Sequence, residues 1–194
     1  MRIDRQIDGM DIAELKAELE TLYSASFGWA LSCCRRDRAE AEEVLQTVYL
    51  KIFEGKARFR GDSSLKTWLF AVIRKTAIGE HRKNLLRHLR WSDPAEQAAK
   101  QVSAADEPGQ AFEKSETQAL FQSALKTLPR RQREALHLVF YQDLTLSEAA
   151  DVMGISIGSA RQHYERGKKR LRESLGQTEV AYGIGWRKEN PGAV

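Results

Sequence analysis

The sequence predicts an all-α protein: two helical domains joined by a flexible linker, the C-terminal one carrying a helix-turn-helix. Three observations predict it. Apolar residues recur at helical spacing on both sides of a central break. The break, residues 92–116, contains Pro94, Pro108 and Gly109, has little apolar periodicity and carries a net charge of −4. Beyond it, a short capped stretch, a glycine turn and a longer basic stretch follow in order, which is the helix-turn-helix pattern. A chain of 194 residues with 42% hydrophobic content suits one or two cored domains. The expected boundaries are 1–91, a linker at 92–116, 117–176, and a tail at 177–194.

Residues 11–90 read as helical throughout. Between Glu40 and Phe53, an apolar stripe of Val44, Leu45, Val48, Tyr49, Ile52 and Phe53 faces a polar side of Glu42, Glu43, Gln46 and Thr47. Gly55 and the run FRGDSS interrupt the pattern, and Ser63 or Ser64 is placed to cap the next helix. That helix begins near Leu65, and its predicted buried stripe is Leu65, Trp68, Leu69, Val72, Ile73 and Thr76. After the linker, periodicity returns at Leu120, Phe121, Ala124, Leu125 and Leu128. Pro129 fits the first turn of a helix running to about Tyr141, where its missing N–H costs nothing. Thr145 and Glu148 form a capping box ahead of a short helix. Gly154 can end that helix in the left-handed conformation. Ser156 can cap a last helix reaching about Leu175, with Ile157, Ala160, Tyr164, Leu171 and Leu175 expected toward the core. The tail has no helical period.

Composition excludes several classes. The two cysteines, Cys33 and Cys34, are adjacent and have no third partner, so neither a disulfide framework nor a cysteine-rich zinc site is expected. They read as small buried thiols. No signal-peptide core and no apolar run of bilayer length is present, so a cytoplasmic chain without membrane insertion is expected. The four histidines are scattered and no Ser/His/Asp set or phosphate loop occurs, so no catalytic residue, metal, cofactor or small-molecule substrate is expected. The acids at Glu40, Glu42 and Glu43 lie opposite an apolar stripe. They read as a solvated face, or as an anionic patch that docks on a basic protein.

Charge points to nucleic acid. The net charge is only +4, but it is unevenly placed. Residues 156–175 carry +4 and residues 74–90 carry +5. Lysine and arginine supply salt-dependent attraction to phosphate. Arginine, glutamine and glutamate can also read guanine, adenine and cytosine edges in a major groove. Arg161, Gln162, Glu165, Arg166 and Lys169 all lie on the wet face of the last helix, where a helix-turn-helix meets DNA. Ser156 and Ser159 open that helix and complete the candidate surface. In the first basic run Trp68 falls on the apolar stripe and reads as core. Phe59, beside the RGDSS loop, is the better candidate to touch a base.

On these motifs the chain resembles, over about residues 18–175, a bacterial sigma factor of the extracytoplasmic-function group of the sigma-70 family. AEAEEVLQTVYLKIF looks like that family's polymerase-binding helix. FRGDSSLKTWLFAVIRKTA looks like its promoter-melting and −10 segment. LPRRQREALHLVFYQDLTLSEAADVMGISIGSARQHYERGKKRL looks like its −35-reading domain. The resemblance implies that Glu40, Glu42, Glu43 and Gln46 dock on core RNA polymerase. It implies that Phe59, Arg60, Asp62 and Ser63 hold a flipped −10 base, with Arg74 and Lys75 on the non-template strand. It implies that the helix-turn-helix residues already named meet the −35 element of promoter DNA. It further implies control by an anti-sigma factor, no cofactor and no catalysis. Thr47 stands where the family usually has an acid, and Lys75 where some members have asparagine. Gln162, His163 and Tyr164 also depart from the usual pattern. The rival readings are a stand-alone helix-turn-helix regulator, which needs a dimer interface and a palindromic site, and a nucleic-acid enzyme, for which no catalytic set exists.

Overall fold

A computed structural model describes residues 12–91 and 124–176, and every regular element among them is helical. The first domain contains α1 (Ile12–Thr21), α2 (Tyr23–Cys33), α3 (Arg38–Phe53) and α4 (Leu65–Trp91). The second opens with a helical turn at 124–127, followed by α5 (Arg130–Leu136), which runs on as a π-helix (His137–Tyr141). It closes with α6 (Leu146–Met153) and α7 (Ile157–Gly176). The acidic linker, Leu120, Phe121 and the tail lie outside the described residues.

Local chemistry sets the helix ends. Asp37 caps α3 by accepting from the Glu40 N–H at 2.9 Å. Ser64 accepts from the Thr67 N–H at 3.1 Å and so begins α4. Thr145 and Glu148 form the expected capping box, with reciprocal bonds of 3.2 and 2.9 Å. Gly154 ends α6 at φ +63°, in the left-handed region, where a Cβ would be strained. Pro129 sits at the N-cap of α5, one position before the first turn expected for it.

The first core forms where α2, α3 and α4 meet. Val44, Leu45, Val48 and Ile52 of α3 face Leu69, Phe70 and Ile73 of α4, all of them buried. Trp29 of α2 is fully buried, and its ring N–H donates to the Phe70 carbonyl at 3.0 Å. That bond satisfies the one polar atom the indole brings into the core. Thr76 is buried as expected and accepts from the Lys51 ammonium at 3.2 Å. Phe53 is a correction: it is 47% exposed. At about 100° per residue it lies about 180° around α3 from Val44, so a stripe this wide cannot bury both of its edges.

In the second domain α5 crosses α7 closely. Gly167 makes this possible: a Cβ there would meet Leu136 Cδ1 at 3.1 Å and the Gln132 carbonyl at 3.3 Å. Ala160, Tyr164 and Leu171 face the core as expected, but Ile157 is 49% exposed. It stands in the first turn of α7 and at the edge of the stripe, ahead of the packed positions.

The two domains dock on each other. α4 packs against α6, and the buried apolar cluster runs without a break through both domains. Trp29 meets the His137 ring at 5.3 Å. The Lys66 ammonium donates to the Gln142 carbonyl at 2.6 Å, and the Thr67 hydroxyl to Glu148 Oε1 at 3.4 Å.

Candidate nucleic-acid and protein interfaces

Three surfaces hold the residues singled out from the sequence. On α7, Arg161, Gln162, Glu165, Arg166 and Lys169 are all exposed along one face. Ser156 accepts from the Ser159 N–H at 3.2 Å, and its hydroxyl donates to Ser159 at 3.0 Å. The two serines therefore shape the start of the helix rather than pointing freely outward. Glu165 pairs with Lys168 at 2.8 Å, and the Lys168 ammonium rests 4.4 Å from the centre of the Tyr164 ring. Lys169 reaches Glu173 at 4.0 Å. Burial lowers the pKa of His163, and the charges of Arg131 and Arg166 lower it further. Arg131 of α5 thus lies beside the α7 face and extends its basic field, a feature that periodicity along α7 could not reveal.

The loop before α4 holds the second set. Arg60 and Asp62 are exposed, whereas Phe59 and Ser63 are half-buried. Gly61 has φ +75°, a turn that favours glycine. The Phe59 ring leans on Trp68 at 5.5 Å with a 57° tilt. Phe59 therefore has an aromatic backstop, and Trp68 sits half-buried between the loop and the core. Lys75 is exposed. Arg74 is drawn away: its side chain is 15% exposed and reaches Glu134 of the second domain at 3.2 Å.

The third set lies on α3. Glu42, Glu43 and Gln46 are exposed, and Glu42 pairs with Arg38 at 3.0 Å. Glu40 lies farther around the helix, where burial and then the Asp37 charge raise its pKa. Leu50 and Phe53, 58% and 47% exposed, share the outer face with Glu43 and Gln46. The acids thus border an apolar centre. The sequence signal was present, since Leu50 falls off the buried stripe, but a lone exposed leucine is common on protein surfaces.

Cys34 is buried and its thiol is pushed up to about 12 by burial and by the Glu40 and Asp37 charges. Burial also raises the Cys33 thiol well above its usual range. Both are protonated, weak nucleophiles at neutral pH. Among the described residues no group of three or more His, Cys, Asp or Glu could hold a metal ion, and no helix is long and apolar enough to cross a membrane.

Comparison with known proteins agrees with this geometry. Residues 20–86 match the family model for sigma-70 region 2, and residues 124–173 that for sigma-70 region 4. RNA polymerase sigma factor CarQ of Myxococcus xanthus is 30% identical over 148 residues, covering 75% of this chain and 80% of that protein. ECF RNA polymerase sigma factor EcfG of Rhodopseudomonas palustris is 29% identical over 135 residues, covering 68% of each. The sigma factor RpoE of Bartonella quintana, solved in complex with the anti-sigma factor NepR, superposes with a TM-score of 0.70. It is 26% identical, and the match covers 88% of this chain and all of that one. The chain belongs to the sigma-70 family, in its extracytoplasmic-function group, whose members are transcription initiation factors that direct RNA polymerase to promoters.

Proposed function

We propose that this sigma factor docks on core RNA polymerase through the outer face of α3. Glu42, Glu43 and Gln46 form the polar rim there, Leu50 and Phe53 the apolar centre, and Glu40 an edge. Such a face suits a partner that meets acids with bases and buries a small apolar core. The loop residues Phe59, Arg60, Asp62 and Ser63 receive an unstacked −10 base, and Lys75 and Arg74 hold the adjoining strand. Arg161, Gln162, Glu165 and Arg166 read the −35 element, with Lys169 on phosphate and Ser156 and Ser159 setting the angle of α7. Control falls to an anti-sigma factor. The RpoE neighbour, crystallised with such an inhibitor, supports this, because its whole length matches this chain.

The observation that carries the reading is the exposed α7 face, which places Arg, Gln and Glu side by side and outward on one helix. The test is in vitro transcription with core RNA polymerase and a genomic promoter library, with and without the protein. Discrete new start sites sharing −35 and −10 elements are expected. Polymerase-independent binding to a palindrome, with no transcripts, would favour a stand-alone regulator instead.

A further inference from the structure

One lysine of α7 lies between the packed side of that helix and its exposed face. At about 100° per residue, Lys168 stands about 40° around α7 from Tyr164, and Glu165 about 60° beyond Lys168. Tyr164 is buried, with its ring 5.6 Å from that of Phe140. The Lys168 side chain is only 13% exposed, and its ammonium rests 4.4 Å from the centre of the Tyr164 ring. The same ammonium reaches Glu165 Oε1 at 2.8 Å, while the Glu165 side chain stays 56% exposed. An ammonium so far removed from water is held on two sides, by the ring and by the carboxylate. The core fixes the ring, the ring fixes the lysine, and the lysine fixes the glutamate.

That chain of contacts sets what Glu165 can do at DNA. An unheld glutamate must lose the freedom of its side-chain torsions to read a base edge, and phosphate repels its charge. Lys168 reduces both penalties. It restricts the side chain before DNA arrives and offsets its charge locally. Oε1 is taken by the lysine, which leaves Oε2 to accept from an amino group such as cytosine N4. The clamp also keeps Glu165 off Arg161. The two stand four residues apart, the spacing of a helical ion pair, yet the carboxylate goes to Lys168 instead. Arg161 is thereby left for guanine or phosphate.

We propose that Lys168 is a positioning residue for promoter recognition: anchored on the Tyr164 ring, it holds Glu165 so that the carboxylate reads cytosine at one base pair of the −35 element. Lys168 itself touches no base. The inference rests on the functional reading above, and the clamp can be measured apart from it.

The clamp is read first by NMR, in the full chain without DNA. The ring current of Tyr164 should move the ε-methylene protons of Lys168 upfield of those of the other lysines. Lys168→Met identifies the signal by removing it. Tyr164→Leu should return it to the ordinary range, and Tyr164→Phe, which keeps the ring, should leave it shifted. Circular dichroism checks that each variant keeps its helices. Base reading is then measured by transcription with the reconstituted holoenzyme, on promoters from the library and their single-base −35 variants. Glu165→Ala should lower the preference for cytosine at one position by about fivefold or more. Lys168→Met should lower it at the same position by a similar factor, and Tyr164→Phe should not. The Glu165→Ala, Lys168→Met double variant should lose no more than either single one, because the two residues act as a unit. An unshifted Lys168 signal in the wild type would overturn the clamp. An equal loss on all sequences in Lys168→Met, with a shallower salt dependence, would place Lys168 on phosphate and overturn its positioning role. Unchanged base preferences in Glu165→Ala would overturn it as well. A shifted Lys168 signal in a chain that programs no polymerase would leave the clamp standing, and would bring down the sigma reading and the base-reading role with it.

Discussion

Arg35 and Arg36 are non-glycine residues in the left-handed region, at φ +53° and +69°, in the turn between α2 and α3. A side chain there costs roughly 1–2 kcal/mol per residue, and glycine avoids that cost while giving back part of it in chain entropy. Arg36 also adds positive charge near His137. Arg36→Gly should therefore stabilise the protein by about 0.5–1 kcal/mol, read as a higher urea midpoint at an unchanged slope. No gain would mean that the Arg36 side chain makes a compensating contact. The promoter face gives a second single-residue prediction. Arg166→Ala should cost on the order of 1–3 kcal/mol at one position of the −35 element if its guanidinium reads a base edge. Binding curves on a set of single-base promoter variants separate this from a uniform loss, which would place Arg166 on phosphate alone.

At the scale of the helix, most of the structure was legible in the sequence because its signals are local. The capping box at Thr145 and Glu148, the left-handed Gly154 and the serine caps at Ser64 and Ser156 each depend on residues within four positions of one another. The exceptions share one cause. Phe53 and Ile157 sit at stripe edges and helix ends, where burial depends on how far the neighbouring helices extend, and no local pattern encodes that. The role of Gly167 was hidden for the same reason, since its closest neighbours, Leu136 and Gln132, lie more than thirty residues away in sequence. The α3 face was half legible: its acids stood out and its apolar centre did not. Leu50 carries the prediction at this scale. Leu50→Asp should leave stability within about 0.5 kcal/mol, because the residue is already exposed. It should weaken the affinity for core polymerase tenfold or more, because a charge then replaces the apolar centre of the interface. Equal loss of stability and affinity would make Leu50 structural.

At the scale of the whole molecule, the two domains and their order followed from composition, but their docking did not. A linker of low periodicity says only that two units are separable. Whether they associate depends on pairs such as Arg74 with Glu134 and Trp29 with His137, which no spacing rule connects. His137 makes that contact sensitive to pH. Its ring lies between Trp29 of the other domain and Tyr141 of its own, and its Nε2 lies 3.3 Å from the Gln142 amide. Burial, and then the nearby Arg36 charge, lower its pKa from 6.5 to about 4. The unfolded chain therefore binds a proton between those values that the folded chain refuses. The associated stability is fully present above pH 6.5 and is lost as the pH falls toward 4. Between pH 7 and 5.5 the loss should be about 1 kcal/mol. His137→Phe keeps a ring against Trp29 and removes the titration. Urea unfolding of both proteins at the two pH values should show a loss smaller by that amount in the variant. Carboxylates and the other histidines titrate in both proteins, so the difference between the two losses isolates His137. Equal losses would mean that the ring is hydrated in solution and that the domains part readily enough to let water reach it.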